Sequence, residues 1–338
     1  MNGCITLKIK KTEACRFLSL LLATMFILLF TACEKQTPNS DFVPTPHDNV
    51  STSAATPLLW RATSPEGASI YLFGSIHAAN ESLYPLPDYV MNAFESCDYL
   101  AVELDVVKYS SDKEYLTAFL DVVAYPEGEN IYDDLSEELI EQAWQLISGG
   151  DEKSPRFLDG YRPYMWYEYL LTAAVDAAGL SFDDGVDRHL IQAAMDRGVE
   201  VLDIENPQDT IALGGGFSPK LVLHFIEELL DVDKAKSEVL ELYEAWKRGD
   251  VLALREVLNK VPEDLTDELE KLYAEYMNAL LTVRDVQMTQ VAKKYMEEEL
   301  NVFYVVGVAH LVGENGIITQ LLQAGYTVER VADEEVVG

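Results

Sequence analysis

Short apolar runs alternate with polar turns where the body of the chain begins. Residues 58–62 and 69–73 are strand-like runs, and the segment between them contains proline and glycine, which predicts a β-hairpin. The pattern then predicts a helix over 86–96 and a buried strand over 99–104. The body therefore opens as a mixture of strands and helices.

The middle of the chain has mainly helical periodicity. It runs from about 136 to 299, and one strand-like run, 199–205, interrupts it. The glycine run 214–216 predicts only a flexible turn. Neither glycine nor proline occurs from 264 to 300, which predicts one long helix or two stacked helices. We therefore expect a large helical insertion over about 112–300.

The end of the chain returns to strand, helix and strand, over 302–306, 314–323 and 326–331. This end echoes the beginning, because a Gly-x-x-His sequence follows the strand in both places, ending at His77 and at His310. The pattern predicts an α/β (α+β) fold. Two β-α-β Gly-x-x-His halves form one sheet, with the helical insertion between them.

The N-terminal segment has the pattern of an export signal. Basic residues precede an apolar run over 17–30, and small residues then lead into Cys33, which resembles the lipobox of bacterial lipoproteins. We predict a signal peptide over 1–32, lipidation of Cys33, a disordered tether over 33–57 and a single domain over 58–338. The alternative is an uncleaved anchor. Both place the body outside the cytoplasm at a cell membrane, and the favoured one gives it an N-terminal lipid anchor.

Charge and cysteine content exclude several classes of protein. The 338 residues include 58 acidic and 25 basic side chains, a formal net charge of −33, so a nucleic-acid partner is not expected. Four cysteines in so long a chain exclude a small disulfide scaffold. The segment 1–32 holds four basic residues and one acid, so the remainder has 21 basic and 57 acidic residues and a net charge of −36. Simple solubility accounts for this charge.

His77 and His310 are the leading candidates for chemistry. Ligands of open α/β sheets bind beyond the carboxyl ends of the strands, and each of these histidines follows a strand at that edge. If the two strands are neighbours, both imidazoles converge on one point. A structural, hydrogen-bonded role is the alternative for each histidine. Sequences typical of serine hydrolases, zincins and P-loop proteins are absent from the chain.

Three acids follow buried strands and could complete a metal site with the two histidines. Glu103 and Asp105 follow the strand after His77, and Glu205 ends the run over 199–205. A catalytic metal usually takes three or more protein ligands. Each acid alone could equally be solvated or cap a helix, so the choice among them stays open.

Several short motifs, in this order, resemble the TraB/PrgY/GumN family, which is related to the Tiki proteins. They are Leu59-Trp60, Tyr71-Leu72-Phe73-Gly74-Ser75-Ile76-His77, Tyr84-Pro85-Leu86-Pro87, Val102-Glu103-Leu104-Asp105, Gly185-Val186-Asp187, Ile204-Glu205, Arg284-Asp285-Val286-Gln287-Met288 and 305–313. The match is best with the GumN-like lipoprotein branch. Asp285 replaces the asparagine of the family's usual Arg-Asn pair.

The resemblance implies a metal-dependent hydrolase of peptides or amides, possessing metalloprotease-like chemistry. Our hypothesis is that His77, His310, Glu103 and Glu205 hold a divalent Mn, Co, Fe or Zn ion. Glu103, where it is not a ligand, would act as general base, and Arg284 would neutralise the developing oxyanion or grip a substrate carboxylate. A peptide or protein substrate is expected. The rival hypothesis is a non-catalytic, lipid-anchored protein that binds a peptide or another ligand, as the pheromone-shutdown relatives suggest.

Overall fold

The computed structural model describes residues 55–151, 153–262 and 265–332. The predicted signal peptide over 1–32, the lipidated Cys33 and nearly all of the predicted tether lie outside the described residues. Within the part of the chain that is described, no helix is both long and apolar enough to cross a bilayer.

A six-stranded mixed sheet forms the centre of the structure. Its strands, in chain order, are β1 (Leu59–Thr63), β2 (Ser69–Ser75), β3 (Tyr99–Val102), β4 (Glu200–Asp203), β5 (Val302–Gly307) and β6 (Thr327–Val331). Across the sheet the order is β4-β3-β5-β2-β1-β6. The strands β4, β3, β5 and β2 are parallel, and β1 is antiparallel to both β2 and β6. The α+β prediction is confirmed.

The pairing of β2 with β5 joins the two ends of the chain. In this parallel register Ser75 lies opposite Gly307, so both Gly-x-x-His turns leave the same edge of the sheet from adjacent strands. The predicted hairpin is also present, with Trp60 of β1 opposite Leu72 of β2. All six residues of β5 are buried, because neighbouring strands flank β5 and helices cover the sheet.

Helices make up most of the remaining chain. In order they are α1 (Asp88–Glu95), α2 (Val106–Tyr109), α3 (Lys113–Val123), α4 (Glu137–Ile147), α5 (Pro163–Ala177), α6 (Val186–Arg197), α7 (Pro207–Gly215), α8 (Pro219–Leu229), α9 (Val232–Lys247), α10 (Val251–Leu258), α11 (Asp267–Met277), α12 (Val283–Glu297), α13 (Val308–Val312) and α14 (Ile317–Gln323). Short 3₁₀ turns occur at Glu81–Leu83, Ile131–Asp133 and Phe182–Asp184. Side-chain N-caps define several starts, including Ser136 for α4 and Thr266 for α11.

The predicted stretch without glycine or proline is one helical segment with a change of pitch. A π-helical turn, Asn278–Thr282, links α11 to α12. Such turns shift the face that later side chains present and often occur at functional sites. Arg284 lies immediately beyond this turn and points into the protein, where it is buried.

The helical insertion folds back onto the edge of the sheet. The indole N–H of Trp246, in α9, donates a 2.8 Å hydrogen bond to the carbonyl of Gly74 at the end of β2. The Nε–H of Arg255, in α10, donates a 2.7 Å bond to the carbonyl of Val312 in α13. The insertion therefore contacts both Gly-x-x-His turns, and both histidines are buried.

The prediction for the glycine run 214–216 is wrong. Gly215 is the last residue of α7, and α7 packs closely on α3. A Cβ built at Gly215 would lie 2.1 Å from Cγ1 of Val122, so glycine is required here by the close approach of the two helices. The pattern of the sequence alone gave no sign of this contact.

Replacing Gly215 with alanine tests that contact. We expect Gly215→Ala to lower the free energy of unfolding by about 1–3 kcal/mol, because the β-branched Val122 cannot easily move aside. In a Val122→Ala background the same substitution should cost less than ~1 kcal/mol, or stabilise, because alanine favours helix over glycine. Urea unfolding of the four proteins measures this. Equal losses in both backgrounds would refute the proposed clash.

Candidate functional site

His77 is held by an aspartate at the start of α6. Its Nδ1 lies 2.7 Å from Oδ2 of Asp187, and the Ser75 hydroxyl donates a 2.7 Å hydrogen bond to the other oxygen, Oδ1. A Cβ at Gly185 would lie 2.2 Å from the carbonyl oxygen of His77, so α6 begins tightly against the histidine turn. Ser75 donates to the aspartate rather than to the imidazole. It therefore does not form a serine–histidine pair.

The charges around His77 and Asp187 favour the ionised pair. Burial lowers the pKa of His77, but the Asp187 carboxylate and, more weakly, Glu103 raise it above the ordinary value overall. Burial also raises the pKa of Asp187, yet His77 and Ser75 bring it below its usual range. His77 therefore keeps its second proton to a higher pH than an exposed histidine does.

His310 has a similar partner but a different electrostatic environment. It is fully buried in α13, and its Nδ1 lies 2.5 Å from Oδ1 of Asp285 in α12. Burial, with the positive charges of Arg284 and His77, lowers the pKa of His310 well below the ordinary value. Burial, helped by Glu103 and opposed by Arg284, raises the pKa of Asp285 to about 8. His310 is therefore neutral at physiological pH.

The far nitrogen of His310, Nε2, has no hydrogen-bond partner in the described part of the chain. Its Nε2 is buried, and no partner for it occurs among residues 55–151, 153–262 and 265–332. Oε1 of Glu103 is 4.0 Å away. Asp285 thus orients the ring from one side while the other nitrogen points toward the carboxylate. The aspartate that departs from the family's Arg-Asn pair therefore contacts His310 directly.

A buried ion cluster joins the sheet to the insertion. Arg284 donates from Nε and Nη2 to the two oxygens of Glu205, at 2.7 and 2.6 Å, and from Nη2 to Oε2 of Glu103, at 2.6 Å. Its Nη1 donates to the carbonyl of Leu280 in the π-helical turn, at 3.2 Å. The side chains of Glu103, Glu205 and Arg284 are each at most 10% exposed, so this ion pairing takes place largely away from solvent.

Glu103 lies at the centre of the site. Its Oε1 accepts a 2.6 Å hydrogen bond from the backbone N–H of Gly307, the glycine of the second histidine turn. Burial raises the pKa of Glu103 above its ordinary value. Arg284, His77 and the Gly307 N–H oppose the rise, and Glu205 adds to it. This one carboxylate is therefore coupled to both histidine turns and to the arginine.

Asp105 is used differently from the other predicted acids. It is the N-cap of α2, where its side chain accepts a 2.9 Å hydrogen bond from the backbone N–H of Lys108. Its own N–H donates to Asp203 at 2.7 Å. A capping role was the alternative considered for each acid, and Asp105 has that role.

The donor atoms fit a metal ion in part. Imidazoles whose Nδ1 contacts a carboxyl group are typical of histidine ligands, and Nε2 of His310, which lacks a partner among the described residues, is an atom type that binds metals. Glu103 is the nearest acid to it. Both oxygens of Glu205, however, accept from Arg284. As the described side chains are arranged, no three His, Cys, Asp or Glu residues form a metal-binding group.

The sequence predicted five site residues, and the fold places them near one another. They are His77, His310, Glu103, Glu205 and Arg284. Two partners were missed as functional residues. Asp187 and Asp285 lie in motifs that were noted only as parts of the family pattern. Each is an acid in the first turn of a helix, which was the available signal, although nothing local shows which histidine an aspartate will contact.

These features define an α+β protein with a buried histidine–carboxylate–arginine site at the carboxyl edge of its sheet. The chain belongs to the TraB/PrgY/gumN family, whose sequence model matches residues 58–330. It is 31% identical over 153 residues to the uncharacterised protein YbaP of Escherichia coli K12, covering 45% of this chain and 53% of that protein. The Shigella flexneri protein of the same name gives the same figures.

The chain spans about half the length of these curated relatives. No solved structure matches it. The family is thus established by the sequence match, whereas the chemistry of the site must be argued from the side chains themselves.

Replacing Arg284 tests whether the buried side chains of Glu103 and Glu205 need its positive charge for stability. We expect Arg284→Met to lower the free energy of unfolding by about 3–5 kcal/mol at pH 7.5, because two buried carboxylates lose their counter-charge. The loss should shrink at pH 5, since burial raises the pKa of Glu103 and its protonation removes one uncompensated charge. Adding Glu205→Gln to Arg284→Met should recover part of the loss. Denaturant unfolding at both pH values measures this.

The control for that measurement is Arg156→Met, which removes a partly exposed ion pair with Glu141. It should cost no more than about 1 kcal/mol. A similarly small loss for Arg284→Met would show that the buried cluster does not depend on its arginine.

Proposed function

We propose that the protein is a metal-dependent hydrolase that cleaves peptide or other amide bonds. The observation that carries the proposal is the arrangement of the two Gly-x-x-His turns at one edge of the sheet, where His77 and His310, each held by an aspartate, lie near the buried Glu103–Arg284 pair. The residues that would hold a divalent Mn, Co, Fe or Zn ion are His77, His310 and Glu103. Glu205 would join them only after release from Arg284.

Such an ion would supply a bound water whose pKa is lowered toward ~7 and would polarise the substrate carbonyl. Asp187 and Asp285 fix the orientations of the two imidazoles. Glu103, where it is not a ligand, accepts the proton of the attacking water, and its raised pKa suits a general base.

Arg284 provides positive charge next to the reacting groups. In the resting arrangement it holds Glu103 and Glu205. In the proposed reaction its guanidinium neutralises the developing oxyanion or a substrate carboxylate. The enclosed position of the cluster strengthens such interactions, because little water screens them.

Replacing either proposed histidine ligand tests both metal binding and catalysis. We expect His77→Ala and His310→Ala each to abolish stoichiometric binding of Mn, Co or Zn and to reduce peptide cleavage by at least about 100-fold. Metal content after equilibrium dialysis and screening against a peptide library provide the two measurements. His224→Gln, in helix α8, is the matched histidine control and should retain both properties.

One specific observation supports a second candidate function, a binding protein without turnover. Arg284 already neutralises the acids, and the described histidines and acids do not form a preassembled three-residue metal group. Full metal content in His77→Ala together with unchanged cleavage would contradict the assignment of the metal and the reaction to this site. Peptide binding without metal or cleavage would favour the second candidate.

We further propose that the protein is a lipoprotein tethered through Cys33 to the outer face of a bacterial membrane. The support is the sequence of the N-terminal segment. Metabolic labelling with an alkyne fatty acid should mark the wild type in the membrane fraction, whereas Cys33→Ser should remain unlabelled. Cys97→Ser, which alters a buried cysteine, is the control. Labelling that persists in Cys33→Ser would contradict this proposal.

A further inference from the structure

Gly74 forms a close contact between the two histidine turns. A Cβ built at Gly74 would lie 2.9 Å from Cγ2 of Val308 and 3.3 Å from its Cα. Gly74 also lies opposite Val306 in the pairing of β2 with β5. Because the contact includes backbone, a larger residue would push one turn away from the other. The position of Gly74 therefore helps to set the spacing between the turn that carries His77 and the turn that carries His310.

Both backbone polar groups of Gly74 are hydrogen-bonded. Its N–H donates a 3.1 Å bond to the carbonyl of Leu58, just before β1. Its carbonyl accepts the 2.8 Å bond from the indole N–H of Trp246 in α9. The Trp246 side chain is 0% exposed, so loss of this donor would leave a carbonyl without a partner in the protein interior. Two elements that are far apart in sequence thus hold one glycine.

A lead segment, residues 55–58, precedes β1 and caps the C-terminal end of α9. The backbone N–H of Thr56 donates to the carbonyl of Lys247 at 2.7 Å, and the Thr56 hydroxyl donates to the carbonyl of Arg248 at 2.8 Å. Carbonyls at the end of a helix have no partner within it. A Cβ at Gly249 would lie 2.1 Å from the carbonyl oxygen of Thr56, so the contact is tight. The lead segment therefore fixes the end of α9.

The contacts continue from Gly74 to the first histidine. Ser75 follows Gly74 directly, and its hydroxyl donates a 2.7 Å hydrogen bond to Oδ1 of Asp187. The other oxygen of this carboxylate lies 2.7 Å from Nδ1 of His77. A displacement of Gly74 would therefore move the Ser75 hydroxyl relative to the carboxylate that orients the imidazole.

We propose that Trp246 and Thr56 are positioning residues for His77. Trp246 holds the first histidine turn in place through the carbonyl of Gly74. Thr56 holds the end of α9, which carries that indole. Their effect on metal binding and cleavage rests on the proposed function, whereas their effect on the orientation of His77 does not.

NMR of the full-length protein labelled with ¹⁵N-histidine tests the proposal without any need for activity. The signal observed is the Nδ1–H of His77, which is assigned by its absence in His77→Gln. We expect Trp246→Phe, which keeps a buried aromatic ring and removes the indole N–H, to shift or broaden this signal. The reason is that Gly74, and with it Ser75, is then free to move.

Trp166→Phe is the matched control. Trp166 is also 0% exposed, and its indole N–H donates a 3.1 Å hydrogen bond to the carbonyl of Leu158 within the insertion. The substitution removes the same atoms from an indole that does not hold a histidine turn. It should leave the His77 signal at its wild-type position.

A pair of variants at Thr56 provides a second test, which does not alter the core. Thr56→Val removes the hydroxyl and should shift the His77 signal less than Trp246→Phe does. Thr56→Ser keeps the hydroxyl and should restore the wild-type signal. An unchanged signal in both Trp246→Phe and Thr56→Val, or an equal shift in Trp166→Phe, would overturn the proposal.

Kinetics separate this proposal from the proposed function. If the wild type cleaves peptides, Trp246→Phe should lower kcat by about 10-fold or more with little change in KM, because residues that orient metal ligands have effects of about 10–100-fold. A shifted His77 signal in a protein that cleaves no peptide would support the positioning residues and count against the hydrolase. Cleavage by the wild type with an unchanged His77 signal in both variants would do the reverse.

Discussion

The guanidinium of Arg284 is the interaction on which the rest of the site depends. It links the carboxyl ends of β3 and β4, through Glu103 and Glu205, to the start of α12. A buried charge triad of this kind adds little stability compared with apolar packing, but it tolerates very few alternative arrangements. The π-helical turn and the parallel edge of the sheet must both be in place before the three groups can meet. The triad therefore fixes how the insertion sits on the sheet.

The positive charge of Arg284 helps to give different pKa values to His77 and His310, which follow similar Gly-x-x-His turns. The ionised Asp187 dominates the surroundings of His77, whose pKa rises, whereas burial and Arg284 lower the pKa of His310. Two titratable groups with opposite shifts are a common arrangement in sites that move protons. The two turns are similar in sequence, and the insertion, which provides Asp187 and Arg284, makes them chemically different.

The sheet edge and its histidines could be predicted because they depend on local patterns. A strand followed by Gly-x-x-His occurs twice, and parallel strands end at a common edge of the sheet. The sequence therefore predicts that His77 and His310 lie close together. Other contacts could not be predicted, because each joins segments that are far apart in sequence. These are the contacts of Asp187 and Asp285 with the histidines and the pairing of Arg284 with both glutamates. The misjudged glycines 214–216 show the same limit, since only the position of Val122 explains Gly215.

The charge balance of the cluster bears on how it could work. Arg284 carries a permanent positive charge, so a second cation at Glu103 would be repelled by it at close range, by several kcal/mol at 4 Å with an effective dielectric of about 20. Each positive charge added beside Glu103 must therefore be matched by carboxylates that ionise or by movement of the arginine. Asp285, whose pKa burial raises to about 8, is the acid in a position to ionise. Binding of a cation beside Glu103 would therefore be coupled to loss of a proton from Asp285, because the added positive charge must be balanced.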